Sequence, residues 1–111
     1  MDIDVSKNSV LDRSAIETFI SVAPSTWCER IDVIKVEPFN GSQIVMSYFR
    51  KERILGVRIP NEYKGTPLSA FLEVAITIQA ISEYGMIPKQ LRLRRLLKYK
   101  RNCKKLERLL V

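Results

Sequence analysis

The longest apolar pattern in the chain lies at 66–85, TPLSAFLEVAITIQAISEYG. Thr66 suits a helix N-cap, Pro67 the first helical position, and Gly85 the residue just past the end. The stretch between them is long enough for a helix of roughly five turns. On a helical wheel Ser69, Glu73 and Thr77 fall at i, i+4 and i+8 and form one narrow polar strip. Leu68, Phe71, Leu72, Val74, Ala75, Ile76, Ile78 and Ile81 cover most of the remaining surface. A helix apolar over that much of its circumference is expected to be buried on more than one side, as the central helix of the fold.

Upstream, residues 1–9 show no sustained period and are expected to be loose. A one-sided apolar face follows in Ala15, Ile16, Phe19, Ile20 and Ala23, which predicts a helix near 12–23 ended by Pro24. Ser14 and Glu17 have the spacing of a capping box, with Ser9 or Asp12 as alternative caps for a longer helix. Trp27 is expected to anchor the next connector to the core.

Residues 31–59 predict three strands. Asn40-Gly41 is a strong hairpin signal, and read as a two-residue turn it pairs Val36 with Val45. A second turn at Lys51-Glu52 pairs Phe49 with Ile54, Tyr48 with Leu55, and Met46 with Val57. This register gives one apolar face of Ile44, Met46, Tyr48, Leu55, Val57 and Ile59, joined by Ile31 and Val33. Ile34, Val36, Val45, Phe49 and Ile54 share the other face with Asp32, Ser47 and Arg58.

The last stretch, KQLRLRRLLKYKRNCKKLERLLV, predicts an amphipathic helix over 89–111, with Pro88 in its first turn. Leu96, Tyr99, Cys103, Leu106 and Leu110 form its apolar stripe. Arg94, Lys98, Arg101, Lys104, Lys105 and Arg108 lie opposite, with Leu97 out of place among them. The expected fold is α+β in one domain: N-terminal helix, three-stranded antiparallel meander, long buried helix and basic C-terminal helix. Within it, 1–88 is expected to form the folded body and 89–111 a separable basic element.

Charge sharpens this division. The net charge is +7, yet residues 1–88 carry nine Lys/Arg against eleven Asp/Glu. Residues 89–111 carry ten Lys/Arg and a single acid, Glu107, a balance of +9. Histidine is absent, which removes the commonest general base and metal ligand. Cys28 and Cys103 match no metal-ligand spacing and read as reduced thiols. The acidic, polar N-terminus is unlike a signal peptide, and the longest apolar run is too short to span a bilayer. An intracellular, cytoplasmic protein is expected. The basic cluster at 98–101 would suit nuclear import in a eukaryotic host.

Candidate chemistry is sparse. Glu62-Tyr63-Lys64 has the E-x-K form found in some metal-dependent nucleases, but it follows Pro60-Asn61 in an expected loop. Phosphate-loop, nucleophile-elbow and dinucleotide motifs are missing, so the chain is expected to have no catalytic residues, metal or cofactor. The expected function is low-specificity binding of DNA or RNA. Arg94, Arg95, Lys98, Arg101, Lys104, Lys105 and Arg108 would contact phosphates. The alternative is a protein-interaction module of viral or mobile-element type, an adaptor, inhibitor or structural factor whose basic helix docks on an acidic protein or a membrane surface. Val36, Val45, Phe49, Ile54, Leu96, Tyr99, Leu106 and Leu110 are surplus apolar positions, expected to serve a symmetric homodimer or a docking partner.

Overall fold

The computed structural model describes the backbone of residues 1–8 and 10–110, and side chains up to 106. Ser9 as a cap, and the side chains of Arg108 and Leu110, lie outside the described residues. The elements are β1 (Asp2–Val5), α1 (Arg13–Val22), a 3-10 turn (Ser25–Cys28), β2 (Val33–Phe39), β3 (Val45–Phe49), β4 (Ile54–Pro60), α2 (Pro67–Tyr84) and α3 (Leu93–Leu110). The class is α+β, but the sheet is not a three-stranded antiparallel meander. It has four strands in the order β1-β2-β4-β3, with β1, β2 and β4 parallel and β3 antiparallel to β4.

Two corrections follow from that topology. The segment expected to be loose contributes β1, whose Ile3 and Val5 pair with Ile34 and Val36. Parallel neighbours need a crossover, and α1 supplies it between β1 and β2. Secondly, β2 does not form a hairpin with β3. It lies beside β4, with Ile34 opposite Leu55 and Val36 opposite Val57. That pairing puts both β2 residues on the face of Leu55, Val57 and Ile59, all fully buried. The hairpin register would have left Ile34 and Val36 on the opposite face, at the loss of about 1.5–3 kcal/mol of burial for each.

Asn40-Gly41 fails as a turn for a backbone reason. A two-residue type I′ turn needs positive φ at both positions. Among the described residues positive φ occurs only at Arg53 and Gly85. Gly41 is small for a different purpose: the Phe39 ring folds back over it, and a Cβ there would collide with the ring. The second turn behaves as expected. β3 and β4 pair Phe49 with Ile54, Tyr48 with Leu55, and Met46 with Val57.

The helices start and stop where side chains can complete their ends. Asp12, not Ser14, caps α1 by accepting from the Ala15 N–H at 2.7 Å. That bond, then the Ser14 hydroxyl, lowers the pKa of the Asp12 carboxyl. Glu17 pairs with Arg13 and takes no part in the cap. Thr66 caps α2 in a reciprocal box with Ser69, Pro67 opens it, and Gly85 closes it in the left-handed conformation at φ 72°. Trp27 packs in the connector against Phe19, with ring centroids 6.1 Å apart.

One core joins the sheet face of Ile34, Val36, Leu55, Val57 and Ile59 to all three helices. Ile16 and Phe19 come from α1, Val74, Ile78 and Ile81 from α2, and Cys103 and Leu106 from α3. The basic helix is therefore packed on the body. It also begins later than expected, at Leu93, which leaves Pro88 in the preceding loop and outside the helix. No helix among the described residues is long and apolar enough to cross a membrane.

Candidate nucleic-acid interface

What α3 can offer a ligand depends on which side of it is used up in packing. Tyr99, Cys103 and Leu106 are buried, at a spacing that brings them onto one side of the helix. A run of hydrogen bonds to α2 sets the rotation. Gln79, buried on α2, donates to the Tyr99 carbonyl oxygen at 3.1 Å and accepts from the Asn102 side-chain amide at 2.8 Å. One turn further along α2, Glu83 accepts from the Tyr99 hydroxyl and pairs with Arg95 at 2.5 Å. Burial, and then the bond to Glu83, pushes the Tyr99 phenol above its ordinary pKa of 10.0. Apolar contacts hold α3 down, and these directional bonds fix which residues face out.

The outward side carries the charge. Arg94, Lys98, Arg101, Lys104 and Lys105 are all exposed, and so is Lys100. None of these six is in an ion pair among the described residues. Arg95 is placed differently from the other cations expected to contact phosphate: it is half-buried and turned to Glu83. Lys100 was not among the candidates, although its position next to the expected stripe placed it on the flank of the helix. Leu97, the misfit of the wheel, is 49% exposed, and Leu93 one turn earlier is 69% exposed. With Lys100, Arg101 and Lys104, Leu97 frames a shallow hollow of about 460 Å³.

The surplus apolar positions are divided by the fold. Val36, Tyr99 and Leu106 belong to the interior, and Leu96 is partly buried. Val45, Phe49 and Ile54 remain on the open face of the sheet, with Lys35, Ser47 and Arg58. A depression of about 360 Å³ crosses that face over Gly56, beside the Phe49 ring. Arg58 and Glu37 lie 3.9 Å apart on its rim, so the charges there are mixed and supply no field of one sign. Of the helix positions expected to serve a homodimer, Tyr99 and Leu106 are taken up by the protein's own body.

Two other places were candidates for chemistry. Glu62-Tyr63-Lys64 lies in the loop before α2, where the Tyr63 hydroxyl bonds the Ser69 hydroxyl at 2.8 Å. Among the described residues there is no group of three His, Cys, Asp or Glu placed to hold a metal. A cavity of about 640 Å³ lies near the start of β1, β2 and β4 and includes Cys28, Asp32 and Arg53. Arg53 pairs there with Asp32 at 3.0 Å. Burial raises the Cys28 thiol, which keeps it protonated and a poor nucleophile at neutral pH.

Family models, curated proteins and solved structures yield no match to the chain.

Proposed function

We propose that the chain is a non-enzymatic nucleic-acid-binding protein that contacts the phosphate backbone with the outward side of α3. One observation carries the reading. Packing and hydrogen bonds turn Tyr99, Cys103 and Leu106 inward, and this leaves Arg94, Lys98, Arg101, Lys104 and Lys105 exposed on one rigid element with no acid paired to them among the described residues. Cations held in this way repel one another, and a line of phosphates relieves the repulsion while releasing counterions. Helical spacing sets Arg94, Lys98, Arg101 and Lys104 at intervals of about 4.5–6 Å along the axis, with Lys105 next to Lys104, a repeat suited to successive phosphates.

The exposure of Leu93 and Leu97 favours a second reading, an acidic protein groove or an anionic membrane surface that takes both charge and apolar side chains. Binding measured against salt separates the two. Five phosphate contacts predict a log–log slope near about −4.5 on duplex DNA. An apolar docking contact would leave a salt-insensitive residue of affinity. Absence of binding to any nucleic acid at low salt removes the phosphate reading.

A further inference from the structure

The exposed side of α3 is more than a strip of charge. Taking the inward direction from Tyr99, Cys103 and Leu106, and turning about 100° per residue, the crest opposite it falls at Leu97 and Arg101. Lys98 and Lys105 lie down one flank of that crest, and Lys100 and Lys104 down the other. All four flanking lysines are exposed. A helix contacting one strand of phosphates needs cations along one line only. Cations on both flanks, with an exposed leucine and an arginine between them, fit a groove with a phosphate rail on each side and base edges on its floor.

We infer that α3 is built to lie in the major groove of B-form duplex DNA, with Leu97 and Arg101 toward the base edges and the lysine pairs toward the two backbones, so that Lys100 takes the place of Arg101 among the five phosphate contacts. This rests on the phosphate-binding reading above and names its substrate. The B-form major groove is about 12 Å wide and admits an α-helix, while that of A-form RNA is deep and narrow and does not. Phosphate offers nothing to a leucine, but the floor of the groove presents thymine methyl groups, and arginine pairs with the acceptors of guanine. The length is adequate: α3 runs over Leu93–Leu110, about 27 Å of helix, against roughly 34 Å for one turn of the duplex. Its docked side stays on the body through Gln79 and Glu83, so the helix can enter the groove without detaching.

The test compares a duplex DNA with an RNA duplex of the same length and sequence, titrated at one low and one moderate salt concentration. The full chain and the Leu97→Ala variant are measured in parallel. Leu97 faces outward and alanine favours helix, so the variant should fold like the parent, as checked by its circular dichroism and melt. The expected result is DNA bound roughly tenfold more tightly than the RNA duplex. Leu97→Ala should then narrow that ratio several-fold and leave the salt slope unchanged. Equal binding to both duplexes, with no effect of Leu97→Ala, overturns the groove inference and leaves the phosphate reading standing. Binding to neither duplex overturns both. In that case vesicles of phosphatidylserine serve as the probe, and their capture would assign the crest to a membrane surface.

Discussion

Removing residues 89–111 probes whether α3 is an appendage or part of the core. Charge alone suggests an appendage, and on that basis 1–88 is expected to keep its strand signal and melt cooperatively. The burial of Tyr99, Cys103 and Leu106 argues for the other outcome. Full burial is worth about 1.5–3 kcal/mol for a leucine-sized side chain, and somewhat less for cysteine. Three such residues, with the α2 surface they cover, represent roughly 4–8 kcal/mol of burial. The Gln79 and Glu83 bonds to α3 add about 1 kcal/mol each at most, because water replaces them in the truncated chain. A domain of this size is stable by only about 5–15 kcal/mol. The truncated chain is therefore expected to lose most of its stability. Urea denaturation followed by circular dichroism should show a broad transition with a much reduced midpoint, or none. A cooperative transition within about 1 kcal/mol of the full chain would refute the reasoning and return α3 to the status of an appendage.

Two smaller perturbations test individual devices. Tyr99 has its phenol pKa raised in the folded state, so the stabilisation from its bond to Glu83 is fully present below the ordinary value of 10.0 and fades as pH rises toward the higher folded value. The stability difference between wild type and Tyr99→Phe should be constant from pH 7 to about 10 and shrink above it, read by denaturant midpoints at each pH; a difference that grows there would contradict the assignment. Gly85 closes α2 at φ 72°, and Gly85→Ala forces a Cβ into the left-handed region, so thermal melts should show a loss of about 1–2 kcal/mol, with no loss if the cap is dispensable.

Much of the fold was legible where the signals were local. Thr66, Pro67 and Gly85 bounded α2 because each has a backbone preference that acts within a turn of itself. The β3–β4 register was legible because a short hairpin leaves few alternatives. The partner of β2 was not, since alternation along a strand tells which residues share a face but not which strand lies beside it. Asn40-Gly41 supplied a false partner, because the pair only permits positive φ and does not require it. β1 escaped notice for its length: four residues with Ile3 and Val5 inward are too few for a period to emerge.

The candidate site divides in the same way. The stripe of Tyr99, Cys103 and Leu106 stood out on the wheel, but nothing in the helix itself says whether its own body or a partner covers that stripe. Gln79 decided the matter, and it was hidden in a helix that reads as almost wholly apolar. Arg95 looked like any other cation until Glu83, twelve residues earlier on another helix, was placed against it. The exposed cations Arg94, Lys98, Arg101, Lys104 and Lys105 were legible from the charge pattern, and Leu97 stood out as the residue that did not fit the charged side.

The most direct test of the nucleic-acid reading replaces Arg101, Lys104, Lys105 and Arg108 with glutamine. Arg101, Lys104 and Lys105 are exposed, and glutamine has a helix propensity close to theirs, so the fold should hold. Binding to a duplex is then measured by fluorescence anisotropy across a series of salt concentrations. Each lost phosphate contact should reduce the salt slope by roughly one unit, and affinity at low salt should fall in step. Leu97→Ala in the same assay should leave the slope as it is. A glutamine variant that binds as tightly as the parent, with the same slope, would show that α3 does not contact the phosphates.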